Sequence, residues 1–285
     1  MNKIMGFLKV WGAEDWIRSA LDQALEFCDK VMVVVSAFNP RLRRFEDDTY
    51  QICREYRDVE LLDFHSTKNT VGESASEVYN YMLERSNLCI PGNWVWILDV
   101  DEFYTETAFG AIRVAIESNK YDYIRVEEKF FLINMQHYLK GSHGRLMKIK
   151  DKTDGFVISN QWIRKPESLY VLPEEDGMFH YSLLTNTDQR LLQWEFDLPG
   201  RTHLEMRKWL TEIYLKYDLE NEDYWLEKNL KLSGIRSPWF NNDFSPNEDG
   251  KLFRYTDRHP KFIEKTALPR VADFRNYYGK NDKHE

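Results

Sequence analysis

Asp99 and Asp101, one residue apart in Leu98-Asp99-Val100-Asp101-Glu102-Phe103, are the residues whose types and spacing point most directly to chemistry. Alternate residues of an extended segment face the same way, so the two carboxylates can address one hard cation and the phosphates it holds. Directly before them, Trp94-Val95-Trp96-Ile97-Leu98 is aromatic and β-branched with no helical period, as expected of a strand covered on both faces. Carboxylates just past such a strand lie at its C-terminal edge, where open α/β sheets bind ligands. A second feature is Phe179-His180-Tyr181-Ser182, at the end of a strand predicted after the turn from Pro173 to Gly177. A neutral imidazole can complete the coordination of a divalent ion already held by a carboxylate and phosphate oxygens. Each feature alone is weak: Asp-x-Asp recurs by chance among 47 acidic residues, and one histidine of seven is ordinarily structural. Together they argue for one site.

The elements that must position these residues alternate through the first half of the chain. Strands are predicted at Ile4–Val10, Val31–Val35, Val59–Leu62 and Trp94–Leu98. Between them, helices are predicted at Glu14–Phe27, Asp47–Tyr56 and Glu73–Glu84, the first marked by Trp16, Ile17, Ala20, Leu21, Ala24 and Leu25 at helical spacing. Strands separated by single helices imply right-handed parallel crossovers and an α/β fold. After Asp101 come one helix, Ala108–Ser118, and strand pieces at Tyr121–Val126, Lys129–Ile133 and Arg145–Ile149, too closely spaced to be joined by helices. Antiparallel pairing is therefore expected there, making the sheet mixed. The expected division is a catalytic domain over 1–185 and a helical extension over 186–285, with helices at Thr202–Tyr217 and Glu220–Leu232. The apolar positions Leu204, Trp209, Ile213 and Leu215 suit packing on the sheet, cover of an acceptor cleft or self-association.

With 285 residues, 42% of them hydrophobic and 15% aromatic, the chain can bury a substantial core. Its formal charge of −8 disfavours broad electrostatic binding to nucleic acid. Arg41, Arg43 and Arg44 form the densest basic cluster, read as a solvated loop. Cys28, Cys53 and Cys89 are too few and too widely spaced for a disulfide framework or a zinc site, and are expected as buried thiols. No apolar run reaches the ~18 residues that span a bilayer, and Met1 to Val10 is too short for a secretory signal. A cytoplasmic location is therefore expected.

The order of these pieces resembles the family 2 glycosyltransferases of the GT-A fold over most of the chain. Gly12-Ala13-Glu14-Asp15-Trp16-Ile17 is similar to the segment that opens the family's first helix. Val31 to Val35 resembles its second strand, Glu77 to Asn80 the helix facing the nucleotide, and Leu98 to Phe103 the Asp-x-Asp box. His180-Tyr181-Ser182 resembles the metal-binding histidine motif, and Tyr255 to Ile263, with His259-Pro260, a tail found in some members. The resemblance implies a mixed, mainly parallel sheet and transfer of a sugar from a nucleotide diphosphate donor, UDP in the first instance, to an acceptor hydroxyl with inversion. It implies that Asp99 contacts the ribose or base side of the donor and Asn80 lies on the donor-facing helix. Asp101 would bind a divalent cation, Mn2+ or Mg2+, with His180 as a further ligand, and Asp99 can share the same ion. Arg145 and Lys148 are candidates to stabilise the donor's phosphates. The acceptor is left open among glycan, lipid-linked sugar, protein and modified nucleic acid.

Two departures from the family pattern bear on the site. Where the family commonly has an aspartate after its second strand, this chain reads Val35-Ser36-Ala37-Phe38-Asn39, so base recognition would differ or fall to Ser36 or Asn39. An inverting transferase also needs a carboxylate to take the acceptor's proton. The corresponding stretch, Ser159-Asn160-Gln161-Trp162, has no acid, which leaves Asp154 and Glu128 as the nearest candidates. Trp162 and Trp194 suit either core packing or a platform for a sugar ring. Two other readings stand beside the transferase. One is a sugar-phosphate nucleotidyltransferase, whose Gly-rich basic loop is missing from Phe7 to Glu14. The other is a nucleotide-sugar or glycan-binding module without turnover.

Overall fold

The computed structural model describes residues 2–37, 47–68, 70–131, 137–151, 153–158, 161–181 and 253–263. Asn39, the arginines at 41, 43 and 44, Trp194 and the helices expected at 202–217 and 220–232 lie outside them.

Four strands, β1 (Ile4–Val10), β2 (Lys30–Val35), β3 (Val59–Leu62) and β4 (Trp94–Ile97), are mutually parallel in the order β3-β2-β1-β4. The helices α1 (Ile17–Phe27), α2 (Thr49–Glu55) and α3 (Val71–Arg85) make the crossovers. Every residue of β1 and β4 is buried, which is why both read as largely apolar runs, broken in β1 only by Lys9, whose amine bonds Ser74. Each sheet face packs its own core. On one, α1 sets Ile17, Ala20, Leu21 and Ala24 against Leu8, Val31 and Trp96; on the other, α3 sets Val78, Tyr79 and Met82 against Phe7, Met32 and Ile97. Helix starts follow local chemistry. Thr70 caps α3 by accepting from the Glu73 amide, and Thr105 caps α4 (Glu106–Glu117) by accepting from Ala108.

Beyond β4 the sheet becomes mixed, continuing β4-β7-β6-β11-β5, with β10 also on β6 and β12 also on β7, ten strands in all among the described residues. These strands are β5 (Glu102–Phe103), β6 (Tyr123–Phe131), β7 (His137–Lys148), β10 (Leu169–Leu172), β11 (Met178–His180) and β12 (Phe253–Arg254). A separate hairpin joins β8 (Phe156–Ile158) to β9 (Gln161–Trp162). The α/β class with a mixed sheet flanked by helices is thus as expected, with three corrections. The two pieces expected at 121–126 and 129–133 are one strand, β6, running straight through Glu127 and Glu128. The piece expected at 145–149 is the end of a longer strand, β7, that crosses Gly141 and Gly144. Within the stretch expected to be helical, residues 253–254 form a strand on β7, and Phe262 and Ile263 join the main core.

Candidate functional site

The C-terminal ends of β1 to β4 share one edge, and at the end of β4 the chain turns instead of continuing extended. The Glu102 amide donates to the Asp99 carbonyl at 3.2 Å, closing a turn over 99–102. The expectation that Asp99 and Asp101 point together rests on extended backbone, and the turn overrides it: the two carboxylates have different partners. Asp99 is partly exposed and takes the Arg145 guanidinium at 3.1 Å. Asp101 is almost fully buried, with Oδ1 3.8 Å from His180 Nε2. The Tyr181 amide donates to the Asp101 carbonyl at 2.8 Å, fixing the turn against β11.

Arg145 reaches this cluster through an irregularity in β7. The β6–β7 register slips between Ile124, opposite Leu146, and Arg125, opposite Gly144, leaving Arg145 as the extra residue. Such bulges re-aim a side chain. A single guanidinium nitrogen, Nη2, serves both Asp99 and the fully buried Glu102. Gln23 supports the same turn from α1, donating to the Glu102 carbonyl at 2.9 Å and accepting from the Tyr104 amide at 2.8 Å.

His180 is held from behind. Neighbouring strands β7, β6 and β11 present His143, Glu128 and His180 side by side. Glu128 Oε2 lies 3.0 Å from His180 Nδ1, and Oε1 lies 2.9 Å from His143 Nε2. Gly141, directly opposite Glu128, leaves the space its carboxyl fills, because a Cβ there would overlap it. Burial would raise the Glu128 carboxyl, but attraction to His143 and hydrogen bonds from both imidazoles hold it down at about 2. Burial likewise works to lower the His143 imidazole, and the facing Glu128 carboxylate outweighs it, leaving it raised.

Other expected site residues lie elsewhere or are committed elsewhere. Lys148 pairs with Trp94 at the start of β4, the end of that strand away from the rim, and its amine bonds Asn119; it does not reach the phosphates' side. Asn80 clamps a backbone, accepting from the Phe156 amide at 2.8 Å and donating to the Phe156 carbonyl at 2.9 Å, so its amide is occupied. Asp154 is buried in a turn, accepting from the Lys150 amide at 2.6 Å and from Arg164 at 2.5 Å. Glu128, enclosed by two imidazoles, holds histidines and is not presented to an acceptor. Neither base candidate is therefore available as drawn from the sequence. Trp162 packs edge-on against Phe156 at 4.9 Å as part of the second core.

Ser36 does stand at the rim. Its hydroxyl is buried without a hydrogen-bond partner among the described residues, at the end of β2. Beside it opens a cavity of about 540 Å³ at the C-terminal ends of β1, β2 and β3, lined by Trp11, Val35, Ala37, Leu62, Asp63 and His65, with Asp47, Tyr50 and Gln51 contributed from the start of α2. Strands lie about 4.8 Å apart, so β2 is roughly 10 Å from β4 and its aspartates. Sequence reasoning missed Glu102, His143 and the Asp63–His65 wall. Glu102 was legible only as part of the Asp-x-Asp-Glu run, and His143 only by its nearness to Arg145.

The donor set can be tested against the divalent ion implied by the resemblance. Two ligands of one ion at about 2.1 Å lie roughly 3 to 4 Å apart, and Asp101 Oδ1 and His180 Nε2 meet that condition. The carboxylate behind Nδ1 is the usual support of a metal-bound histidine. Among the described residues no group of three or more His, Cys, Asp or Glu is placed to hold an ion, so protein donors would fill two positions and ligand oxygens the rest. A carboxylate and an imidazole with phosphate oxygens suit Mn2+ or Mg2+.

No family model matches the chain, and no curated protein matches it by sequence. Among solved structures it is similar to residues 1–349 of S. aureus TarS, at 14% identity and TM-score 0.41, with 80% of this chain and 79% of that one covered. The same protein in complex with UDP gives TM-score 0.42 at 14% identity, with 80% of this chain and 79% of that one covered. A 4-diphosphocytidyl-2C-methyl-D-erythritol synthase gives TM-score 0.33 at 12% identity, covering 74% of this chain and 86% of that one. Similarities this slight define neither a family nor an activity. Among the described residues no helix is long and apolar enough to cross a membrane.

Proposed function

We propose that the chain is a nucleotide-sugar-dependent glycosyltransferase that uses a divalent cation, Mn2+ or Mg2+, and takes a UDP-linked sugar as donor. The observation that carries this reading is the approach of Asp101 and His180, remote in sequence, to 3.8 Å at the sheet rim, on the same rim as a cavity with ample room for a nucleoside. The base would occupy the cavity between Trp11 and Asp63, with the diphosphate running along the rim toward Asp101. Asp99, held by Arg145, faces the ribose side. Asp101 and His180 would hold the cation, which when bound neutralises charge developing on the departing diphosphate. An acceptor hydroxyl then displaces the diphosphate from the anomeric carbon, inverting that centre, and its proton passes to the departing diphosphate or to water, since neither Asp154 nor Glu128 is free to take it.

One observation favours a second reading. With Asp154 bonded to Arg164 and Glu128 enclosed by two imidazoles, no carboxylate of the expected pair is free to take the acceptor's proton, as a binding module without turnover would have it. One experiment separates the two. UDP release from UDP-glucose, UDP-galactose and UDP-N-acetylglucosamine is followed with and without Mn2+, alongside calorimetric binding of UDP. Steady Mn2+-dependent release that disappears in Asp101→Asn and His180→Ala supports the transferase. Binding without release identifies the module, and an absence of both UDP binding and release overturns either reading.

A further inference from the structure

We infer that Glu128 is a positioning residue: by accepting from Nδ1–H of His180 it fixes that imidazole in the tautomer whose bare Nε2 faces Asp101. The inference rests on the proposed cation site for its functional meaning, but its content is a statement about protons on one ring. An imidazole has two nitrogens, and only the one without a proton can act as a ligand; which one that is depends on the partner of the other. Here the other partner is a buried carboxylate at 3.0 Å on Nδ1, and Nε2 is the nitrogen directed at Asp101.

The carboxylate has no freedom to turn away. Its second oxygen is engaged at 2.9 Å by His143 on β7, its neighbour across the strand is Gly141, and the side chain is wholly buried. Phe130 stands edge-on to the His180 ring at 4.8 Å, closing another side. Three adjacent strands thus supply histidine, glutamate and histidine in a row, and the chain invests a fully buried carboxylate in the orientation of a ring that reaches the rim. A plain structural role for Glu128 would not require its partner ring to direct Nε2 at a second carboxylate 3.8 Å away.

The test reads the tautomer first. In metal-free, 15N-labelled wild-type protein at pH 9, long-range 1H–15N correlation should show His180 protonated at Nδ1 and bare at Nε2. In Glu128→Leu the ring should relax toward the Nε2–H form preferred by free imidazole, and Mn2+ affinity, read by electron paramagnetic resonance with UDP present, should fall by roughly ten- to a hundredfold. Turnover in Glu128→Leu should recover at saturating Mn2+, so the loss falls on the cation's KM more than on kcat, and Glu128→Gln should rescue part of it. The same change made in a His180→Ala background should add nothing to the loss. A wild-type His180 carrying its proton on Nε2, or a folded Glu128→Leu with unchanged Mn2+ affinity, overturns the inference. If wild-type protein binds no Mn2+ with UDP, the cation reading of the site fails, and the wild-type tautomer still decides the role of Glu128. That measurement also stands if Glu128→Leu does not fold.

Discussion

The Arg145–Glu102 pair offers a quantitative test of how the rim is held. Both side chains are buried, Glu102 completely, and one nitrogen of the guanidinium serves both Glu102 and Asp99. Arg145→Met leaves the Glu102 carboxylate buried with its cation gone, a change that costs about 3–5 kcal/mol. At roughly 2–4 °C per kcal/mol for a chain of this size, Tm should drop by about 6–20 °C. The contact is one-armed, and Arg145 Nε is buried without an acceptor among the described residues, so the pair lacks the advantage of a bidentate fork. Replacing both members with apolar residues should therefore be far milder, and Glu102→Leu/Arg145→Met should lie within about 1–2 kcal/mol of wild type. Thermal and urea unfolding followed by circular dichroism give the full cycle. In the double variant Asp99 loses its guanidinium, so UDP affinity should fall although stability is kept. The reasoning is refuted if Arg145→Met costs less than about 1 kcal/mol, or if the double variant is no more stable than the worse single one.

Away from the rim, Asp122 is pulled down to about 2: burial opposes ionisation, but Lys150 and the amides of Ser168 and Glu167 outweigh it. A depressed carboxyl adds stability that is fully present above its unfolded value near 4 and fades as pH falls toward 2, so Asp122→Asn should cost about 2 kcal/mol at pH 7 and about half that at pH 3. Equal penalties from urea unfolding at the two pH values would contradict this. Gly141→Ala puts a Cβ against the Glu128 carboxyl and should cost about 1–3 kcal/mol in urea unfolding, with His143 and His180 resonances displaced in NMR spectra. Asp63, exposed on the cavity wall, should be replaceable by alanine with no change in Tm, while UDP binding measured by calorimetry weakens by about tenfold or more, the value of a hydrogen bond to a charged group.

The parallel half of the sheet was legible because β1, β2 and β4 are largely buried on both faces, which makes them almost wholly apolar, with Lys9 in β1 and Lys30 at the start of β2 the exceptions. The same logic misled at β6. Glu127 and Glu128 look like a break between two strands, yet Glu128 is paid for by histidines from the strands on either side. Only long-range pairing makes a carboxylate acceptable there, and pairing is not visible from one strand. Gly141 and Gly144 hid the length of β7 for a related reason, being small so that Glu128 and the Tyr123 ring can lie over them. The Asp-x-Asp spacing located the rim but not its geometry, because alternation holds for extended backbone and the segment turns. The attachment of β11 and β10 to β6 in parallel, which carries His180 to the site, rests on contacts between residues far apart in the chain.

Charge at the rim ties these elements to the chemistry. Asp99 and Glu102 share the Arg145 guanidinium, while Asp101 faces His180 and Glu128 lies between His180 and His143, with Arg125 also near His143. Four carboxylates against one guanidinium and two imidazoles leave this largely buried group rich in negative charge. Such a surface repels a diphosphate. A compensating cation would favour an anionic donor there, and at the rim Asp101 Oδ1 and His180 Nε2 face each other at ligand spacing. Arg145 is already shared by two carboxylates and cannot fill that role. If the rim holds a diphosphate as proposed, this acidity predicts that UDP binds with a divalent ion and poorly without one, while the uncharged nucleoside binds equally well in both cases, a difference that calorimetry with and without Mn2+ reads directly; equal UDP affinity in both would refute it.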